Sequence, residues 1–173
     1  LKHRQAVGRG HLKMAEQLNC ELRLRRKKPM SNTLYLIVGK SGSGKDTIVN
    51  KICDLYHYKK LISYTTRPMR TADENTHIFA TDKDFNIAND IVAYTRFNNY
   101  RYWATQEQCD NADFYIIDPA GISYFKSHYH GSKKIVIINI TAPLRTRFFR
   151  MLSRGDSFMS AINRLINDHK VFK

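Results

Sequence analysis

Apolar positions fall into two patterns along the chain. Short continuous runs recur at Leu34–Val38, Leu61-Ile62-Ser63, Phe114–Ile117 and Lys134–Ile140, as in strands buried on both faces. Between the first two runs, Ile48, Ile52 and Leu55 recur at helical spacing with Val49 beside them. The alternation predicts an α/β fold, a parallel sheet of four strands with flanking helices. Thr76–Ala80 and Ile91–Phe97 read as further strands, and Thr81–Asn89 as a helix capped by Thr81. Thr105-Gln106-Glu107-Gln108 is a capping box that opens another helix. Thr141 and Pro143 start a later helix, which Gly155-Asp156-Ser157 interrupts.

The first strand and helix enclose Gly39-Lys40-Ser41-Gly42-Ser43-Gly44-Lys45, which fits the phosphate-binding pattern G-x-x-x-x-G-K. Glycines let successive backbone N–H groups converge on phosphate oxygens, and the helix start adds partial positive charge. Lys45 then reaches the β/γ-phosphates. The stretch predicts a nucleoside triphosphate site made by Gly39, Ser41, Gly42, Ser43, Gly44, Lys45, Asp46 and Thr47. Asp46 stands where this pattern carries Ser or Thr, whose hydroxyl holds Mg²⁺. A carboxylate is itself a hard oxygen ligand for Mg²⁺. Unscreened at ~4 Å from a phosphate charge, it costs roughly 4 kcal/mol at an effective dielectric of ~20. Asp46 therefore either binds the metal or points away.

Three further stretches carry charge suited to phosphate chemistry. In Ser63-Tyr64-Thr65-Thr66-Arg67-Pro68-Met69-Arg70, two arginines three apart share a loop stiffened by proline; their forks match phosphate oxygens. Asp118 follows the Phe114–Ile117 strand, at the carboxyl end where open α/β sheets bind ligands. Arg145, Arg147, Arg150, Arg154 and Arg164 gather around the Gly155-Asp156-Ser157 break. Arginines on such a flap can close over a transferring phosphoryl group. Tyr94, Phe97, Tyr100, Tyr102 and Trp103 crowd one region and read as the packing of a small subdomain.

Charge alters this picture at one end. The net charge is +14. Residues 1–29 hold nine Lys/Arg against two Glu, which is +7, and residues 30–173 hold the other +7. The leader reads as disordered, or as sequence upstream of a start at Met30, with a possible helix over His11–Lys28. Nucleic acid is expected only through this leader. Cys20, Cys53 and Cys109 show neither a disulfide framework nor zinc spacing. With no apolar run of membrane length and no signal core, a cytoplasmic setting is expected, with no membrane partner.

Residues 33–168 resemble the guanylate kinase family of P-loop nucleoside monophosphate kinases. G-x-S-G-x-G-K is Gly39–Lys45, and S-x-T-T-R-x-x-R is Ser63–Arg70. D-x-x-G is Asp118–Gly121, and R-x-x-x-R-G with a later R-L is Arg150, Arg154-Gly155 and Arg164-Leu165. The resemblance implies a P-loop parallel-sheet core, an acceptor-binding subdomain at about 64–104 and a lid at about 150–164. It implies ATP and Mg²⁺ as cofactors, with Asp46 as the metal-ligand candidate, and nucleotide substrates. Lys45, Arg150, Arg154 and Arg164 would be catalytic; Ser63, Arg67, Arg70, His77, Tyr102 and Asp118 would hold the acceptor. By the same resemblance the family's phosphate-contacting Tyr is His77, its guanine-reading Glu falls at Ala93, and a base-reading hydroxyl residue becomes Ala104. The chain also resembles ribose 1,5-bisphosphate phosphokinase, through Gly44-Lys45-Asp46 and Glu74–Ile78; that acceptor has no base. A doubly wound sheet with four strands normally continues past a helix such as the last one here, so a final strand and helix are expected to be missing. A non-catalytic scaffold of guanylate kinase type is the competing class, and the intact Gly39–Lys45 loop argues against it.

Overall fold

The computed structural model describes residues 31–69 and 71–172. The basic leader, its helix over His11–Lys28, Cys20 and Arg70 lie outside the described residues.

The chain is α/β, built on a parallel three-stranded sheet. Strand β1 (Thr33–Val38) lies at its centre, between β6 (Phe114–Ile116) and β7 (Lys134–Asn139). Its alternate residues enter different cores. Leu34 and Leu36 face a cluster with Val92, Ala93, Ala104, Tyr115 and Phe125, while Ile37 packs with Val49 and Phe114. Burial on both sides is why β1 reads as continuous apolar sequence.

The expected second strand at Leu61-Ile62-Ser63 does not form. The parallel sheet has three strands rather than four, and an isolated bridge from Lys60 to Phe114 continues the pairing beyond β6. Leu61 and Ser63 are buried and Ile62 between them is exposed, so this run buries one face rather than two. Helix α1 (Lys45–Tyr56) also turns differently from the expected face. Val49 is buried, with Ile52 and Cys53 against the core, whereas Leu55 is exposed.

A second sheet has the order β3-β2-β5-β4. Its strands are β2 (Tyr64–Thr65), β3 (Ile78–Phe79), β4 (Ile91–Phe97) and β5 (Tyr100–Thr105). The sequence reading missed β5. Asn98 and Asn99 both adopt left-handed conformations (φ 48° and 66°) and close β4 and β5 into a hairpin, the two-residue turn whose twist matches its strands. One face of the hairpin pairs Ala93 with Ala104, Thr95 with Tyr102 and Phe97 with Tyr100; the other pairs Tyr94 with Trp103. Phe85 of helix α2 (Asp82–Ile87) contacts both Tyr94 and Trp103.

Capping boxes open α2 at Thr81 and α3 (Gln106–Asp110) at Thr105. Helix α4 (Pro119–His128) follows β6, with Asp118 as N-cap and Pro119 in the first turn. Helices α5 (Leu144–Ser153) and α6 (Phe158–Val171) flank the 154–157 break. Among the described residues, Cys53 and Cys109 are free and no helix is long and apolar enough to cross a membrane.

Candidate functional site

The Gly39–Lys45 loop leaves β1 and enters α1 through Gly44, whose cap has no side-chain hydrogen bond. The first N–H groups of α1 therefore lack a side-chain acceptor, and the positive helix end faces outward there. Gly42 (φ +73°) has no room for a side chain, since a Cβ would meet the Arg147 carbonyl oxygen at 2.6 Å. Lys45 folds back over the loop and donates to the Gly39 and Lys40 carbonyls at 2.5 and 3.2 Å. Burial pulls its ammonium below the ordinary value, against the fields of Asp46 and Asp168.

A cavity of about 830 Å³ opens above the loop. Ser41 to Thr47 form its floor, Thr141, Pro143 and Thr146 one wall, and Arg150, Arg154 and Arg164 the other. Arg150 Nη1 donates to the Ser43 carbonyl at 3.2 Å. Arg154 is paired with Asp156 at 2.6 Å, and Arg164 lies 3.9 Å from the same carboxylate.

Ser43 Oγ is buried without a hydrogen-bond partner among the described residues, the kind of orphan that an anionic ligand's oxygen would satisfy. Asp46 is the acid lining this cavity. Its carboxylate is largely exposed and pairs with Lys60 at 2.9 Å. No cluster of three metal-ligating side chains occurs among the described residues. Mg²⁺ does not require one, since one or two carboxylates plus substrate phosphates commonly hold it. Asp46 fits that role, with Lys60 as its competitor.

A second cavity, of about 180 Å³, lies by the hairpin and is lined by Ser63, His77, Tyr94, Thr95, Tyr102 and Asp118. A third, of about 380 Å³, shares lining residues with both. It shares Ser41, Lys45 and Arg164 with the first, and Thr95, Ile117 and Asp118 with the second. Gly39 lines this middle space. Asp118 Oδ1 accepts from the Gly121 N–H at 2.6 Å, so the residue caps α4 while facing both smaller cavities.

Ser63 Oγ and His77 Nδ1 are 3.1 Å apart, and the His77 ring meets Tyr102 edge-on. Burial, and then the charge of Arg67, lower the His77 pKa from its ordinary 6.5. Arg67 itself does not line the cavity. Its guanidinium is buried in a bidentate pair with Glu74, at 2.6 and 3.2 Å, and Thr76 Oγ1 donates to the same carboxylate. Ala93 and Ala104, the positions matched to base-reading residues, face each other inside the core.

The structure thus gathers Lys45, Arg150, Arg154 and Arg164 at one end, and Ser63, His77, Tyr102 and Asp118 at the other. Sequence reasoning missed two partnerships. Glu74 occupies the Arg67 fork, and Asp168 holds Ser41 together with Arg147. An acid in the Arg67 loop was a visible signal for the first. Ser41 and Asp168 are 127 residues apart, and no local pattern connects them.

Among solved structures, the guanylate kinase from Anaplasma phagocytophilum is similar to this chain. The two share 16% sequence identity with a TM-score of 0.47, over 82% of this chain and 75% of that chain. Likeness at that level assigns no activity. No family model matches the chain, and no curated protein matches it in sequence.

Proposed function

We propose that this protein is a P-loop phosphotransferase that moves the γ-phosphoryl group of ATP to a nucleoside monophosphate of GMP or dGMP type. What supports the reading is that residues lining each of the two end cavities also line a common middle cavity. Lys45 and three arginines stand at one end, hydroxyls and aromatic rings at the other, and Asp118 lies between.

Positioning and electrostatics would supply the catalysis, since phosphoryl transfer asks little covalent chemistry of the protein. The loop amides and Lys45 hold the donor phosphates. Arg150, Arg154 and Arg164 neutralise the equatorial oxygens of the moving group. Asp46 would hold Mg²⁺, which would supply positive charge to offset that of the donor phosphates. Ser63, His77 and Tyr102 orient the acceptor, and Asp118 stands beside the transfer path.

A second reading, an acceptor without a base such as ribose 1,5-bisphosphate, is favoured by one observation. Ala93 and Ala104 are core residues, and the acceptor cavity is small beside the ~300–1,000 Å³ of ordinary ligand pockets. An ADP-release screen of GMP, dGMP, other monophosphates and ribose 1,5-bisphosphate separates the two readings. Lys45→Ala should abolish transfer to whichever acceptor works. Unchanged turnover in that variant would overturn the phosphotransferase reading.

A further inference from the structure

Ser41 has three polar groups, and one buried ion pair engages them all. Asp168 accepts from the Ser41 N–H at 2.9 Å and from its Oγ at 3.1 Å. Arg147 Nε donates to the Ser41 carbonyl at 2.8 Å, and Arg147 Nη2 pairs with Asp168. Both ions are nearly buried, at 6% and 9% exposure. The amide of Ser41 is spent on the protein itself, so the loop's free N–H groups begin beyond it.

The helices that supply this pair also supply the lid arginines. Arg164 precedes Asp168 by four residues on α6, and Arg150 follows Arg147 by three on α5. Residues at such spacing share one helix face. Arg150 and Arg164 therefore each stand one turn from a residue anchored to Ser41, on either side of the 154–157 break that holds Arg154.

We infer that Arg147 and Asp168 are a positioning pair, setting the distance between the lid arginines and the phosphate-facing part of the loop without touching either ligand. The pair is neutral as a unit, so it places a carboxylate beside a triphosphate site without net repulsion. Burying it serves geometry more than stability, because buried ion pairs contribute little net stability compared with apolar replacements of similar volume. The inference rests on the donor assignment above.

That distinction supplies the test. Asp168→Asn breaks the pair but leaves a buried, unpaired guanidinium, and it can fail through misfolding. The double variant Arg147→Met/Asp168→Leu removes both charges, so no unpaired ion is left, and its melting temperature should fall less than that of Asp168→Asn. Three measurements on the full chain are compared with wild type: ligand-free hydrogen exchange of the Gly39–Lys45 peptide, titration with ATP, and steady-state kinetics. The double variant is expected to exchange faster in that peptide, with β1 still protected. Its ATP affinity should fall and its kcat drop about 100-fold, the scale of a 1 Å misplacement, while the acceptor KM holds within twofold. Unchanged exchange in the loop would overturn the inference, as would faster exchange with wild-type ATP affinity and kcat. Wild-type protein that fails to bind ATP would overturn the donor assignment instead, and the wild-type titration alone reveals that outcome.

Discussion

Glu74→Gln tests whether the Arg67 fork is a phosphate site held by an internal carboxylate. Both side chains of the pair are 9% exposed. Removing one member of a buried pair costs about 3–5 kcal/mol, because the other charge is left uncompensated. Glutamine can still accept one N–H, so we expect the low end, about 3 kcal/mol. At about 2–4 °C per kcal/mol, the melting temperature should fall by roughly 10 °C. Phosphate should then occupy the vacated fork, and a ligand at 100 times its dissociation constant returns about 2.7 kcal/mol. Scanning calorimetry in inorganic phosphate and in chloride at matched ionic strength reads both effects. Phosphate should restore most of the lost stability in the variant and shift wild type much less, since there it must displace Glu74. Equal phosphate shifts in the two proteins would refute the reasoning.

Two other substitutions probe neighbouring features. Gly42→Ala combines a left-handed backbone with a backbone clash, so beyond about 1–2 kcal/mol of strain it must displace the loop from α5. ATP titration should show weakened binding, whereas Gly155→Ala carries the positive-φ strain (φ +95°) without a clash, since nothing lies within 4 Å of its Cβ, and should weaken binding less. His77 has a folded-state pKa below its unfolded 6.5, so the unfolded chain takes up its proton first on acidification. Stability is fully present above pH 6.5 and is lost as pH falls toward the folded value. His77→Gln should flatten that slope in urea melts between pH 7.5 and 5.5; an unchanged slope would assign the dependence to other groups.

The β1–loop–α1 unit was legible because strand, glycines, lysine and helix are contiguous. The Thr105–Gln108 capping box and the Thr81 cap were legible for the same reason, since each joins residues three apart; the reciprocal Asp84 bond at Thr81 was not read. Leu61-Ile62-Ser63 misled because its letters suit a strand, yet only Leu61 enters the core and Ser63 lines the smallest of the three cavities. The Asn98-Asn99 turn was a readable hairpin signal that the crowd of aromatics obscured. Arg67 was read as a fork for a substrate phosphate; in the structure its loop fills that fork with Glu74. Nothing near Arg147 or Asp168 marks them as anchors of a loop more than 100 residues earlier.

The asparagine turn has a consequence for ligand choice at a distance. Because it fixes which residue of β5 stands opposite which of β4, it also decides what the smallest cavity presents to a guest. One additional residue in the turn would slide one strand past the other by a single step and reverse its sides. Arg101 would then take the place opposite Thr95 that Tyr102 holds now, and a guanidinium would project where a phenol stands beside Ser63 and His77. On the proposed reading, the length of this turn therefore sets which side chain faces the acceptor.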